Sequence, residues 1–265
     1  MGAALVELAP AGFEQVDGED FVEFALYGAP GELPALPEGP ADVAGVPVRV
    51  RSEEVAVDWA ERWRRFHQPV LIGAAPAAGR RDGPRHQRLW VRPPWDGPRE
   101  DALDLVIDPA QAFGTGAHPT TRLSLELLLE LEPAGSLADL GCGSGVLAVA
   151  AVRLGFAPVV AVDNERTAIE ATLANARANR VELGRVERLD LREQPAPSAA
   201  AVTANLTRPL LLRVAELMPE RPNELIVSGL LAGEEDEVAA AFAPLRERRH
   251  LRSHGWGALL LTSPA

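Results

Sequence analysis

Lysine is absent from this sequence, because all 26 basic residues are arginine. Schiff-base chemistry and P-loop nucleotide binding both use a lysine, so neither kind of site is available to the chain. Cysteine is limited to Cys142, which excludes a disulfide framework and a cysteine-based metal site. We therefore expect no metal and a protein of the reducing cytoplasm.

Long hydrophobic runs are also missing. Val146–Val152 is among the longest and is far too short to span a bilayer, and the N-terminus lacks the charged-then-apolar pattern of a signal peptide. We expect a soluble, cytoplasmic protein without membrane attachment. The formal net charge of −12 disfavours direct binding to nucleic acid and favours a basic protein as partner.

The 265 residues are enough for one large α/β domain and a smaller companion. The patterns predict a small α+β domain over residues 1–55, a linker helix with a connecting segment over 56–98, and the α/β domain over 99–265. In the first domain, β-like runs at Phe21–Tyr27 and Val46–Val50 are separated by a turn-rich stretch.

The connecting segment contains a helix pattern followed by a loop. Trp59, Trp63 and Phe66 fall on one helical face, and we interpret them as a packing surface rather than a ligand site. Residues 73–88 carry no periodicity, which predicts a loop, and Leu89–Val91 is a predicted strand.

From about Leu103 onward, apolar strand-like runs alternate with helical patterns. This alternation predicts a doubly wound, Rossmann-like parallel sheet with helices on both faces. The predicted strands are Leu137–Leu140, Val159–Val162, Val186–Leu189, Ala200–Ala204, Leu225–Val227 and Ala258–Thr262.

The first of these strands runs into a glycine-rich turn that contains Gly141, Gly143 and Gly145. Such a turn lets a ligand approach the backbone beside a helix N-terminus. A dinucleotide fingerprint needs its third glycine one position later, where Val146 stands, so pyrophosphate binding is disfavoured. Asp139 precedes the turn, where its carboxylate either faces a cation, such as the sulfonium of S-adenosyl-L-methionine, or anchors the loop.

Two further strands end in carboxylates. Asp163 ends a strand 22 positions after Gly141, the spacing of the next strand in a βαβ unit, where an acid can accept hydrogen bonds from both ribose hydroxyls. Asn164 follows and is predicted to add contacts to the nucleoside. Asp190 ends the strand after that, in a position to contact an adenine amino group.

Asn205 ends the fourth predicted strand of the sheet. Its amide oxygen can hold an amine N–H and direct the nitrogen lone pair at a transferred methyl. Upstream, a glycine- and hydroxyl-rich loop that includes Phe113 and Thr121 suits a wall over a small ligand. His118 in this loop is interpreted as a hydrogen-bonding loop residue rather than a general base.

These motifs together resemble the bacterial ribosomal-protein methyltransferases that modify the large-subunit protein eleven. The resemblance rests on Asp108-Pro, Ala112–Gly116, His118–Thr121, Asp139–Gly145, Ala204–Leu206 and Ser228-Gly229, and covers the chain from about Val57. It implies a class I S-adenosylmethionine-dependent methyltransferase that modifies amino groups, a lysine side chain or an N-terminal amine, of a ribosomal protein. It also implies cofactor contacts at Thr121, Gly141, Asp163 and Asn205.

Taken with the motif analysis, the predicted catalytic residue is Asn205. The predicted cofactor-binding residues are Phe113, Gly114, Thr115, Thr121, Asp139, Gly141, Gly143, Asp163, Asn164, Asp190 and Asn205.

The sequence departs from the family in three places. About fifty residues precede the linker helix, so we expect an N-terminal domain that is truncated relative to the family, and the substrate is left open. Asn164-Glu165 stands where the family often has a second Asp, and residues 74–88 form an insertion. Two alternatives remain: an enzyme that methylates a glutamine amide or a small molecule, against which Leu206 counts, and a non-catalytic binding or assembly factor.

Overall fold

The computed structural model describes residues 14–17, 22–25, 38–43, 46–51, 67–73, 88–109 and 116–264. The chain divides into two compact units, Met1–Arg64 and Arg65–Ala265. Among the described residues, no helix is long and apolar enough to cross a membrane.

In the first unit the described residues form two antiparallel hairpins. Their strands are β1 (Glu14–Asp17) with β2 (Val22–Ala25) and β3 (Gly39–Val43) with β4 (Val46–Val50). The strand predicted at Val46–Val50 is confirmed, and the one predicted at Phe21–Tyr27 is found as the shorter β2. The predicted helix with Trp59, Trp63 and Phe66 lies outside the described residues.

The second unit begins with a three-stranded sheet. It contains β5 (Val70–Ile72), β6 (Leu89–Arg92) and β7 (Leu103–Val106), with β6 antiparallel to β5 and parallel to β7. Alternate side chains of each strand are buried, as the two-residue period of a strand requires when one face covers a core. The predicted strand at Leu89–Val91 is confirmed.

The larger sheet of the second unit has seven strands in the order β10-β9-β8-β11-β12-β14-β13. Strands β8 to β12 are parallel to one another, whereas β14 is antiparallel to both β12 and β13. In chain order the elements are α1 (Pro119–Leu128), β8 (Leu137–Leu140), α2 (Val146–Leu154), β9 (Val159–Asp163), α3 (Arg166–Ala178), β10 (Arg185–Arg188), β11 (Ala201–Asn205), α4 (Arg208–Leu217), β12 (Glu224–Leu231), α5 (Glu235–Ala241), β13 (Arg246–Ser253) and β14 (Trp256–Thr262).

Two hydrophobic cores cover the two faces of this sheet. One contains buried side chains of α1, α2 and α3, and the other contains those of α4 and α5. Both faces of the central strands are therefore covered by hydrophobic side chains, which explains why all four residues of β8 are buried. The predicted doubly wound α/β fold is confirmed.

The strand order reverses next to β8. After β8 the chain forms β9 and β10 on one side, and it then returns to form β11 on the other side. In open α/β sheets the crevice at the carboxyl ends of such neighbouring strands is the usual place for a ligand. The glycine-rich turn and the end of β11 both lie at this crevice.

Candidate cofactor and acceptor site

The glycine-rich turn joins β8 to α2. Gly141, Gly143 and Gly145 all have positive φ angles, of 70°, 52° and 78°. At Gly145 a Cβ atom would lie 2.9 Å from the Cα of Thr172, so a larger residue would meet backbone as well as adopt a disfavoured conformation. The turn thus depends on glycine to pack closely on α3.

Asp163, at the end of β9, holds this turn from the side. Its Oδ2 accepts a hydrogen bond from the Gly143 N–H at 3.0 Å, and its Oδ1 accepts one from the Glu165 N–H at 3.0 Å. A carboxylate offers about four acceptor positions, so these two bonds leave capacity for further donors. The structure therefore brings together the glycine turn and the strand-end carboxylate that the sequence pattern paired.

Asp139 lies inside β8 and is only 1% exposed. Its Oδ1 accepts from the Thr203 hydroxyl at 2.7 Å, and its Oδ2 accepts from the Ala148 N–H in the first turn of α2 at 3.1 Å. Burial raises the pKa of Asp139 to about 7. Of the two roles predicted for this carboxylate, the geometry favours the anchor over a contact with a bound cation.

We expect Asp139→Asn to flatten the pH dependence of stability. Native Asp139 keeps its proton up to about pH 7, whereas in the unfolded chain it ionises near its ordinary pKa of 3.8. The carboxyl therefore contributes stability below about pH 4, and that contribution is lost as the pH rises to 7. Between those values the unfolding free energy of the wild type should fall relative to Asp139→Asn by on the order of 3 kcal/mol.

Urea denaturation at several pH values between 4 and 8 measures this difference. The exposed residue Glu170, which pairs with Arg166 on α3, provides the control variant Glu170→Gln. The unfolding free energy of Glu170→Gln should change with pH by the same amount as that of the wild type. If the unfolding free energy of Asp139→Asn also changes with pH as that of the wild type does, the pKa of Asp139 is not raised.

Asn205 ends β11 on the opposite side of β8 from Asp163. Its Nδ2 donates to the hydroxyl of the buried residue Thr121 in α1, at 3.4 Å. This contact uses one of the two N–H donors of the amide, and the Oδ1 of this partly exposed residue is an acceptor. Two more predicted site residues, Thr121 and Asn205, are thus brought together.

His118 caps the N-terminus of α1. Its Nδ1 lies 2.8 Å from the Thr120 hydroxyl and 3.4 Å from the Thr120 backbone nitrogen. Its ring packs edge-on against Trp256 with centroids 5.1 Å apart, and burial lowers the pKa of His118 to about 4. These contacts confirm the interpretation of His118 as a hydrogen-bonding loop residue.

The remaining predicted site residues are less closely joined to the turn. The Asp190 carboxylate is held by the guanidinium of Arg192 at 2.8 Å, which lowers the pKa of Asp190 to about 2. Asn164 is exposed, and its backbone oxygen accepts from Arg188 Nε at 2.7 Å. The predicted contacts Phe113, Gly114 and Thr115 lie outside the described residues.

The sequence patterns missed the buried polar side chains that stabilise the turn. Thr203 donates a hydrogen bond to Asp139, and Thr172 and Asn175 of α3 donate hydrogen bonds to the backbone of the turn. The signal available was a polar residue inside an otherwise apolar strand and a polar pair three positions apart in a helix.

The crevice between β8 and β11 is rich in acceptors and contains half-buried glycine backbone. It presents Gly141 and Gly143 on one wall, the Asp163 carboxylate beside them and the Asn205 amide opposite. These residues include no basic side chain, so they fit a ligand with hydroxyl groups and positive charge better than one with phosphates. Among the described residues, no cluster of three possible metal ligands occurs.

Strand order, switch point and glycine turn together define the class I methyltransferase fold. The family described as Ribosomal protein L11 methyltransferase (PrmA) matches residues 42–263, and the chain belongs to that family.

Individual relatives agree with this assignment. The chain is 39% identical over 205 residues to a ribosomal protein L11 methyltransferase of Cupriavidus necator, covering 75% of this chain and 63% of that protein. It is 38% identical over 197 residues to the protein of the same name from Klebsiella pneumoniae, covering 71% and 61%. The chain thus spans less than two thirds of either relative.

A solved structure is similar as well. The crystal structure of ribosomal protein L11 methylase from Lactobacillus delbrueckii subsp. bulgaricus aligns with a TM-score of 0.59 and 25% identity, covering 66% of this chain and 94% of that one. About two thirds of this chain therefore shares its fold with that protein.

Proposed function

We propose that this protein transfers methyl groups from S-adenosylmethionine to amino groups of a protein, and that the substrate is a ribosomal protein of the large subunit. The observation that carries the proposal is the junction of the glycine turn with the Asp163 carboxylate at the switch point of the sheet. The names of the relatives, which specify ribosomal protein L11, support the choice of substrate.

The cofactor site would be formed by the carboxyl ends of β8, β9 and β10. Asp163 would accept hydrogen bonds from the ribose hydroxyls, with Asn164 and Asp190 on the nucleoside side and the turn at Gly141 beside the amino-acid portion. The bound cofactor supplies an electrophilic methyl group on a positively charged sulfur. The absence of basic side chains from the turn suits that charge.

Asn205 would orient the acceptor amine. A lysine with its usual pKa of about 10.4 is neutral in only about one molecule in two thousand at pH 7, so the site has to select the neutral form. The Asn205 Oδ1 would accept an N–H of the amine while Thr121 fixes the amide from its nitrogen side. The nitrogen lone pair is then held in a defined direction, which is the main contribution that alignment makes to catalysis.

The other parts of the chain have roles in the same proposal. The small domain over residues 1–55 would recognise the substrate, residues 56–98 would connect it, and residues 99–265 would carry out methyl transfer. The net charge of −12 favours a basic protein partner over direct contact with nucleic acid, and the reaction would take place in the cytoplasm.

Transfer of labelled methyl groups tests the proposal directly. The protein is incubated with S-adenosylmethionine labelled in its methyl group, and with purified ribosomal protein L11, the other large-subunit proteins or ribosomal RNA in separate reactions. We expect label on ribosomal protein L11 alone, and peptide mass spectrometry should place it on lysine or the N-terminal amine.

Three outcomes would contradict this proposal. Label on a glutamine amide would indicate the amide-methylating alternative, and label on RNA would contradict the choice of a protein substrate. Binding of the cofactor without transfer to any of these substrates would support a binding or assembly factor.

A further inference from the structure

Helix α3 carries a stripe of buried polar side chains toward the glycine turn. The stripe consists of Thr172, Asn175 and Asn179, which are 0%, 2% and 7% exposed and lie on one helical face. Buried polar groups destabilise a core unless they are hydrogen-bonded, so their partners indicate why the core contains them.

Asn175 joins two separate parts of the backbone. Its Oδ1 accepts from the Asp108 N–H at 2.9 Å, just beyond β7, and its Nδ2 donates to the Ser144 carbonyl in the glycine turn at 2.8 Å. One turn earlier in α3, the Thr172 hydroxyl donates to the Gly143 carbonyl at 3.0 Å. The stripe therefore grips two consecutive carbonyls of the turn.

Fixing a carbonyl fixes its whole peptide plane, because the C=O and the following N–H point in opposite directions. With the Ser144 carbonyl turned toward α3, the N–H of Gly145 points away from the helix and donates to the Cys142 carbonyl at 2.7 Å. Asn175 thus determines how tightly the turn is wound, and with it the position of the backbone that faces the crevice.

Asn179 provides a natural comparison. Its Oδ1 accepts from the Val106 N–H in β7 at 2.8 Å, and its Nδ2 donates to the Val106 carbonyl at 2.6 Å. Its Nδ2 also donates to the Asn175 carbonyl. It is as polar and nearly as buried as Asn175, but its hydrogen bonds are with β7 and α3 rather than with the turn.

We propose that Asn175 is a positioning residue for cofactor binding. It acts through the Ser144 carbonyl and the Asp108 N–H, and it contacts neither the cofactor nor the acceptor. This inference rests on the proposed function, since it assigns the turn to S-adenosylmethionine.

The test compares Asn175→Ala with Asn179→Ala in the full chain. Both variants leave buried backbone groups without partners, so both should lower the Tm. Titration calorimetry with S-adenosylmethionine, at a temperature well below both transitions, should show a Kd raised about tenfold in Asn175→Ala and by no more than about twofold in Asn179→Ala. At saturating cofactor, kcat of Asn175→Ala should stay within about threefold of the wild type, because Asn205 is untouched.

A second variant covers the case in which Asn175→Ala does not fold. Asn175→Leu has nearly the same shape, but it neither donates to the Ser144 carbonyl nor accepts from the Asp108 N–H. Its Kd should also rise about tenfold or more.

Equal Kd changes in the two alanine variants would overturn the inference, as would an unchanged Kd in folded Asn175→Leu. Failure of the wild type to bind S-adenosylmethionine would instead refute the proposed function, and this inference with it. Tight binding by the wild type with no difference among the variants would refute the positioning role alone.

Discussion

Asn205→Ala should lower kcat for methyl transfer by on the order of 100-fold, with only a modest rise in the Kd for S-adenosylmethionine. The side chain contributes its Oδ1 to the acceptor amine, and loss of a group that aligns reacting atoms typically has an effect of this size. Asn205 is partly exposed and its hydrogen bond to Thr121, at 3.4 Å, is long, so the fold should tolerate the change. Initial rates at saturating cofactor and calorimetric titration give the two quantities separately.

An asparagine at the other end of the sheet supplies the control. Asn223 is exposed and lies at the amino end of β12. The hydrogen bonds that it makes there come from its backbone N–H and carbonyl groups. Asn223→Ala should therefore transfer methyl groups at the wild-type rate. Wild-type turnover in Asn205→Ala would remove Asn205 from the reaction, and a Kd raised as much as kcat is lowered would make it a cofactor-binding residue instead.

The parallel part of the sheet could be predicted because its strands are buried on both faces. Such strands appear in the sequence as continuous apolar runs, and β8, β9, β11 and β12 each overlap a predicted run. β13 was missed because its sequence, Arg-Glu-Arg-Arg-His-Leu-Arg-Ser, has no apolar alternation. It pairs with β14 alone, and charged side chains are a common means of protecting such an edge from further pairing.

Part of the N-terminal hairpins was missed for a different reason. β3 begins with Gly39-Pro40, which the turn rules assign to a loop, yet these residues pair with Val50 and Arg49 of β4. A two-stranded hairpin needs few apolar residues, so local composition is a poor guide to it. The partner strand, with its Val46-Pro-Val-Arg-Val pattern, was recognisable.

The proximity of predicted site residues could be inferred where position along the chain determines position in space. A carboxylate at the end of β9 must lie near the turn after β8, because parallel neighbours end at the same edge of the sheet. The sequence pattern could not decide between the two roles of Asp139, because its role depends on whether Thr203 of β11 and Ala148 of α2 reach its two oxygens. Such pairings connect residues distant in sequence, and no local pattern records them.

Asp163→Ala should raise the Kd for S-adenosylmethionine by at least about tenfold. The substitution removes the proposed acceptor for the ribose hydroxyls, and it also releases the N–H groups of Gly143 and Glu165, which hold the turn and the start of α3. Asp163→Asn keeps one acceptor oxygen, so its Kd should lie between those of the wild type and Asp163→Ala. Titration calorimetry measures all three, and Glu170→Ala, on the exposed face of α3, should bind as the wild type does.

A cofactor analogue without the two ribose hydroxyls separates the two effects of Asp163→Ala. If Asp163 accepts from those hydroxyls, the wild type should bind the analogue more weakly than S-adenosylmethionine, whereas Asp163→Ala should bind the two ligands almost equally, since the partner is already gone. If the variant discriminates between them as strongly as the wild type does, Asp163 only braces Gly143. The ribose would then have to be bound elsewhere along the carboxyl edge of the sheet.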